Sequence, residues 1–576
     1  MRRNTHTLIC SALFKYRAEV SILAACSILY FWVATYDSTL RTVFVEEYNS
    51  GEAARAAFLF GIWRGEGGEW QSWSFQPAST YLTWLGLDLF GFSRLSTRIP
   101  FVLTSGLAMF AYARSVAYFA GSNARVRWAA IAAISLSPFL IEVLPTANAQ
   151  VLFVPIVAFS IYLVCLEDTP WFDRHWRTQR FLLAFVAGSA VFVKIDGALL
   201  PLVVCIHVAI CWMADRAAWK QLMWFAAGAT TILSLYIGFL MLGPGLDEYL
   251  SGWRMTSDIL ADRGETTVPI DFQAERLTLW NFKNLSLFFP GIEFLLFASG
   301  AAVALEWKRA RPGDRFVLLF VLAFFLFSLN FPLIYWKRFL LVAPACVLLC
   351  LSAVRLWSNN HVVERPLFLR GIMIASLLLG YMTATSWFNG MWRIVPGWSD
   401  PVDQWHGLTV LLIGGLALVC FIPQRFFGRA IVGGFALMCG VTVLSGVQEL
   451  AHERTREMES IASNWGARLN GATVVSDHHA YRFLAYGTSA QFDFTHENDP
   501  SFPERVINLV LENQPDYIAV SNAYHDFADE ISTEVPNYAM IDSFEYTHPA
   551  SQLSPRATVH HVSLYERRYI GEQPQN

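Results

Sequence analysis

Val45-Glu46-Glu47-Tyr48-Asn49-Ser50-Gly51-Glu52 follows an apolar run from Val20 to Tyr36, and the two together decide the fold. The run is long enough to cross a hydrocarbon core of ~30 Å as a helix. The acidic stretch then stands where the chain leaves the membrane. A carboxylate is costly to desolvate there, so such acids are functional candidates by default. Further apolar runs of about 17–22 residues recur down the chain, each of spanning length.

Composition agrees. The 576 residues are 55% hydrophobic and 15% charged, against ~25% charged in soluble domains; mean hydropathy is +0.38. The runs do not alternate as barrel strands do. The fold class is therefore a polytopic α-helical membrane protein. A formal net charge of -4 gives no sign of a nucleic-acid partner. The nine cysteines lie in or beside apolar runs with no Cys-x-x-Cys pair, so neither a disulfide framework nor a thiolate metal site is indicated. Leu23-Ala24-Ala25-Cys26 has the look of a lipoprotein cleavage box. The apolar run continues past Cys26, however, which marks an uncleaved signal anchor.

Charge sets the orientation. Arg2, Arg3, Lys15 and Arg17 hold the N-terminus in the cytoplasm, and the later short basic loops fall almost all on that side if the chain makes about thirteen spans. Residues 37–98 read as an interfacial loop, with amphipathic spacing over Gly51 to Trp63 and tryptophans at 63, 70, 73 and 84 suited to headgroups. The transmembrane unit is expected over residues 1–448. From 449 to 576 the pattern changes to strands near Ala472–Asp477, Asp516–Ser521, Tyr538–Phe544 and Val559–Tyr565, with helices at Glu457–Leu469 and Glu504–Glu512. This predicts a small α/β domain on the Glu46 side, opposite the cytoplasm.

An ordered series of short motifs runs through the first spans and beyond. Val45-Glu46-Glu47-Tyr48 is followed by Gln76-Pro77-Ala78-Ser79-Thr80-Tyr81-Leu82, Phe90-Gly91-Phe92-Ser93 and Ser96-Thr97-Arg98-Ile99-Pro100. Leu136-Ser137-Pro138-Phe139, Phe192-Val193-Lys194 and Lys337-Arg338-Phe339-Leu340-Leu341-Val342-Ala343-Pro344 come after. In motif order over about residues 37–350 the chain resembles the GT-C superfamily of polyprenyl-phosphate-sugar glycosyltransferases. It is most similar to the branch of protein O-mannosyltransferases and lipid A aminoarabinose transferases. Two departures stand out. Glu46-Glu47 replaces the family's usual Asp-Glu, and Ala147-Asn148-Ala149-Gln150 stands where the family often has a second acid.

The resemblance implies an inverting transferase that moves a sugar from a polyprenyl-phosphate donor to a lipid, glycan or protein hydroxyl. It makes Glu46 the general base, with Glu47 its neighbour orienting the stretch. The phosphate leaving group needs positive charge, for which Arg338 and Lys337 are the candidates, with Lys194 and Arg98 sharing the work. As a bland alternative, Lys337 and Arg338 snorkel at a helix end, and Lys194 pairs with Asp196. Glu142 is a candidate substitute for the missing acid. Asp258, Asp262, Glu265 and Asp271 read as a solvated loop shaping the acceptor mouth. The pairs His478-His479, His525-Asp526 and His560-His561 lack ligand spacing, so no metal and no cofactor is indicated. The competing classes are a lipid or solute transporter, disfavoured because the polar residues gather at one membrane face, and a non-catalytic membrane scaffold.

Overall fold

The computed structural model describes residues 17–38, 41–63, 76–214, 219–242, 245–247, 250–251, 254, 283–328, 336–358, 366–385, 401–421, 427–495, 501–523, 525–548 and 558–568, with backbone alone over several short stretches that include 41–46 and 336–337. The chain opens with α1 (Arg17–Ala34), α2 (Arg41–Phe60), α3 (Pro77–Phe90), α4 (Arg94–Ala120), α5 (Ala124–Ser135) and α6 (Pro138–Val143). A 3-10 turn, Ala149–Leu152, leads into α7 (Phe153–Cys165), α8 (Pro170–Val193), α9 (Leu199–Ala214) and α10 (Trp219–Leu242). The later helices are α11 (Lys283–Phe288), α12 (Glu293–Leu305), α13 (Pro312–Ser328), α14 (Ala343–Ser358), α15 (Pro366–Thr385), α16 (Pro401–Phe421) and α17 (Phe427–Ala451).

The bundle is a polytopic membrane protein. Among the described residues, five helices are both long and apolar enough to cross a bilayer, and shorter apolar helices such as Leu199–Cys211 and Ala343–Trp357 accompany them. Their outer faces carry large apolar side chains: Leu235 is 57% exposed, Ile413 61% and Leu437 63%. Helices apolar all round need lipid, not water, on their outer face. Inside, α1 packs along α4 and α4 along α7, and the Tyr30 hydroxyl donates to the Ser135 carbonyl at 3.3 Å.

Two expectations for residues 37–98 are corrected. The Val45–Glu52 stretch is not a loop: it lies inside α2, which begins ten residues before the anticipated amphipathic helix and ends at Phe60, three residues short of its expected end. A second helix, α3, follows where a loop is anticipated, opened by Pro77 at its first turn. Averaged over the whole segment the polarity hid two helices in which Glu47, Glu52, Arg55, Ser79, Thr80 and Thr83 are buried.

Beyond Ala451 come α18 (Glu457–Leu469), β1 (Thr473–Asp477), α19 (His478–Leu484), β2 (Gln491–Thr495), α20 (Phe502–Asn513), β3 (Tyr517–Ser521), α21 (Ala528–Glu534), β4 (Tyr538–His548) and β5 (Thr558–Arg567). The sheet order is β2-β1-β3-β5-β4. β1 runs parallel to β2 and β3, whereas β5 lies antiparallel between β3 and β4. The acid that ends β1 is structural. Asp477 accepts the Ala480 N–H at 2.6 Å to cap α19, and it also accepts the Ser521 N–H at the end of β3.

This α/β segment sits on α2. Tyr48 enters its apolar core beside Tyr481 and Trp465, and Gly51 allows the close approach, since a Cβ there would come within 2.1 Å of the Tyr486 hydroxyl. Arg55, 0% exposed, donates to the carbonyls of Ala485, Thr488 (2.8 Å) and Ala490 (2.9 Å). Arg482 Nη2 donates to His478 Nδ1 at 2.6 Å, which leaves the imidazole proton on Nε2, donated to Glu52 at 3.0 Å. At the other flank Arg94 pairs with Asp37, whose carboxylate also accepts the Met458 N–H at 3.2 Å. Arg55→Ala is expected to free the segment, because each buried carbonyl left unsatisfied costs about 1–3 kcal/mol. Trypsin cutting at Arg454 or Arg456, measured on purified protein, should become several-fold faster than in the parent.

Candidate active site

Glu47 sits at the junction of four segments. Its carboxylate is gripped by Arg98 through Nε (2.7 Å) and Nη2 (2.6 Å), and it accepts the Ala147 N–H at 3.0 Å. The second amino group of Arg98 donates to the carbonyls of Ala34 (2.8 Å) and Tyr36 (2.7 Å). The two side chains are only 4% and 2% exposed. A forked guanidinium on a carboxylate is the strong form of ion pair, and full hydrogen bonding is what makes its burial tolerable. Arg98, expected at the donor phosphate, instead has all three nitrogens donating within the protein. It fastens the end of α1 and the start of α4 to α2 and the Ala147 loop.

Glu46 precedes Glu47 on α2; its side chain lies outside the described residues, as do those of Lys337 and Asp196. The acidic loop with Asp258, Asp262, Glu265 and Asp271 lies outside them altogether. Glu142 does not substitute for the missing acid. It is 1% exposed and pairs with Arg454 at 2.5 Å, tying α6 to the start of the α/β segment.

The place of that missing acid is the 3-10 turn Ala149–Leu152. Asn148 caps it, accepting the Gln150 N–H at 2.9 Å. Asn148 and Gln150 are both 0% exposed. Among the described residues, the Asn148 amide nitrogen and both amide atoms of Gln150 have no hydrogen-bond partner. Buried polar atoms are nearly always satisfied, so a set of three in one turn marks a place where a ligand or water belongs. The turn is also a hub. α2, with the two glutamates, packs on one side of it, and the 3-10 segment Trp336–Leu341, with Lys337 and Arg338, packs on another. Arg338 itself is half-buried.

An apolar cavity of about 450 Å³ begins at the same turn. Leu152 is in its wall, with Tyr81 and Leu82 of α3, Ile156 of α7, Phe192 of α8 and Phe239 of α10. Val193, next to Lys194, also lines it; Lys194 is half-buried at the end of α8. Gly197 lets the chain after Lys194 turn back tightly, because a Cβ there would lie 2.1 Å from the Ala190 carbonyl oxygen. In the wall Tyr81 meets Phe239 at 5.5 Å between ring centroids, and Trp63 meets Trp84 at 5.6 Å. The neighbourhood thus combines a nearly all-apolar slot with acids, cations and unsatisfied amides at one end.

Comparison with solved structures decides what architecture this is. ArnT from Cupriavidus metallidurans in the apo state superposes with a TM-score of 0.54 at 14% identity, over 94% of this chain and 97% of that one. The chain has the ArnT fold. ArnT bound to undecaprenyl phosphate gives a TM-score of 0.49 at 13% identity, covering 94% of this chain and 97% of that one. Arabinofuranosyltransferase AftD from Mycobacteria gives 0.40 at 15% identity, covering 96% of this chain and 42% of that one. No family model and no curated protein matches the sequence. Within the ArnT fold, the elements bearing Glu46, Glu47 and Arg338 share one hub, although they lie nearly three hundred positions apart in sequence.

Proposed function

We propose that this protein is an inverting membrane glycosyltransferase that takes its sugar from a polyprenyl monophosphate on the periplasmic face of a bacterial inner membrane. The single observation carrying the reading is the Ala149–Leu152 hub, where α2, the Trp336–Leu341 segment and the apolar cavity meet. The cavity suits isoprene units: it is apolar and walled by aromatic and aliphatic side chains, as lipid-chain sites are. Arg338, Lys337 and Lys194 hold the phosphate, and the amides of Gln150 and Asn148 face the sugar–phosphate. Glu47 and Arg98 form the clamp that fixes α2. The chain crosses the membrane about thirteen times, and residues 449–576 form a periplasmic domain over the acceptor side.

In the reaction the acceptor hydroxyl attacks the anomeric carbon opposite the phosphate. The new C–O bond forms as the bond from that carbon to the phosphate oxygen breaks, and configuration inverts. Glu46 takes the hydroxyl proton as general base. Polyprenyl phosphate leaves with the bonding electrons, its charge met by the cations. A phosphate is already a good leaving group, so a neutral amide at position 150, in place of a second acid, is compatible with the chemistry.

The test is release of polyprenyl phosphate by the purified protein, reconstituted with a panel of polyprenyl-phosphate sugars and lipid, glycan or peptide acceptors. Release from at least one pair is expected. Arg338→Ala should raise the donor KM by ~10–100-fold, the worth of one charge-assisted hydrogen bond of about 1.5–3 kcal/mol. Unchanged donor KM and turnover in Arg338→Ala would remove the phosphate role.

A further inference from the structure

At the far end of α7 from the hub lies a second cluster that the transferase reading does not use. α7 is 13 residues long, so at ~1.5 Å per residue the two ends are about 20 Å apart. Glu167 follows α7 in a 3-10 turn, Leu166–Asp168. His207 and Cys211 stand one turn apart on α9, which brings both side chains to the same face. His207 Nε2 lies 3.2 and 3.3 Å from the two Glu167 carboxylate oxygens, and Cys211 Sγ lies 3.9 Å from Nε2. All three ligand atoms fall within 4.8 Å of one another.

We propose that Glu167, His207 and Cys211 bind a divalent metal ion of the zinc class. Zinc takes nitrogen and oxygen at about 2.0–2.2 Å and sulfur at about 2.3 Å in a tetrahedron, which sets ligand atoms roughly 3.3–3.8 Å apart. The observed spacings bracket that range. One sulfur, one nitrogen and one oxygen suit zinc's borderline softness, and a carboxylate with a thiolate neutralises a divalent ion. The surroundings supply the outer support such sites need. Arg180 pairs with Glu167 Oε1, and Gln179 Nε2 donates to that same oxygen at 3.4 Å. Arg180 is itself braced by Gln221 Oε1 at 2.9 Å. These contacts fix the carboxylate through Oε1 and leave Oε2 for the metal. The site joins the end of α7 to α9 and leaves a fourth position for water.

The plain alternative is an ion-pair cluster of Arg180, Glu167 and His207, in which Cys211 has no part. Cys211 therefore discriminates. The full-length protein, purified in detergent, freed of any tag and stripped with chelator, is titrated with Co²⁺. One equivalent should bind, giving thiolate-to-cobalt absorption in the near ultraviolet and the visible bands of a tetrahedral ion, both displaced by Zn²⁺. Cys211→Ser, close to isosteric, should keep the metal-free melting midpoint, lose the thiolate band and weaken Co²⁺ binding at least tenfold. His207→Gln should weaken it similarly, and Zn²⁺ should raise the melting midpoint of the parent but not of Cys211→Ser. Absence of a thiolate band in the parent, or equal Co²⁺ affinity in the parent and Cys211→Ser, overturns the site. Neither outcome bears on sugar transfer, which rests on the opposite end of the bundle.

Discussion

Glu46→Gln is expected to fold and insert like the parent and to lose ~10²–10⁴-fold in kcat, the usual worth of a general base. Glutamine keeps the length of the side chain and its hydrogen-bonding capacity but cannot accept the acceptor's proton. Donor binding should survive, because the base is assigned to the acceptor side of the anomeric carbon. The measurement is release of polyprenyl phosphate under saturating donor, alongside donor binding to the same preparation. A fully active Glu46→Gln protein would overturn the base assignment. A protein that neither binds donor nor turns over would place Glu46 in the donor site instead.

The second large effect concerns Glu47 and Arg98. Removing one partner of a buried, hydrogen-bonded ion pair leaves a charge without compensation and costs about 3–5 kcal/mol. Glu47→Ala strands the Arg98 guanidinium; Arg98→Ala strands the carboxylate and also unties the Ala34 and Tyr36 carbonyls. Each should lower the melting midpoint in detergent markedly, with Arg98→Ala the worse. The double replacement Glu47→Leu with Arg98→Met should recover part of the loss, since apolar side chains of similar volume often replace a buried pair at little cost. Additive losses in the double variant would mean that the two residues act independently. Glu47 would then be free to be considered as a second acid.

The long apolar helices after residue 98 were legible because dehydrating a backbone in lipid leaves the sequence few choices: a long apolar run must become a helix. Both halves of the α/β segment also announced themselves through strand-like apolar runs, although β2, α19 and α21 escaped notice. What stayed hidden was pairing across the chain. Glu46 and Glu47 look equivalent in sequence, and only the approach of Arg98, 51 positions away, singles Glu47 out as a clamp. The same contact explains why Arg98 resembled a phosphate ligand: buried arginine and ligand-binding arginine have the same neighbours in a linear string. The stretch Ala147-Asn148-Ala149-Gln150 was recognised as a departure from an acid, but the unsatisfied amide atoms of Asn148 and Gln150 are something no spacing rule reports. His207 and Cys211 carried a faint signal in their four-residue interval. Its third member, Glu167, is forty positions earlier.

The seating of α2 has a consequence for biogenesis. Arg55 finds its acceptor on Ala485 only after 430 further residues have been made, and loop closure over such distances is slow. The helix bearing the acids is thus among the first parts to leave the ribosome and among the last to acquire its final surroundings. A nascent chain stopped between Ala451 and the α19 turn would hold every transmembrane motif and still lack a working centre.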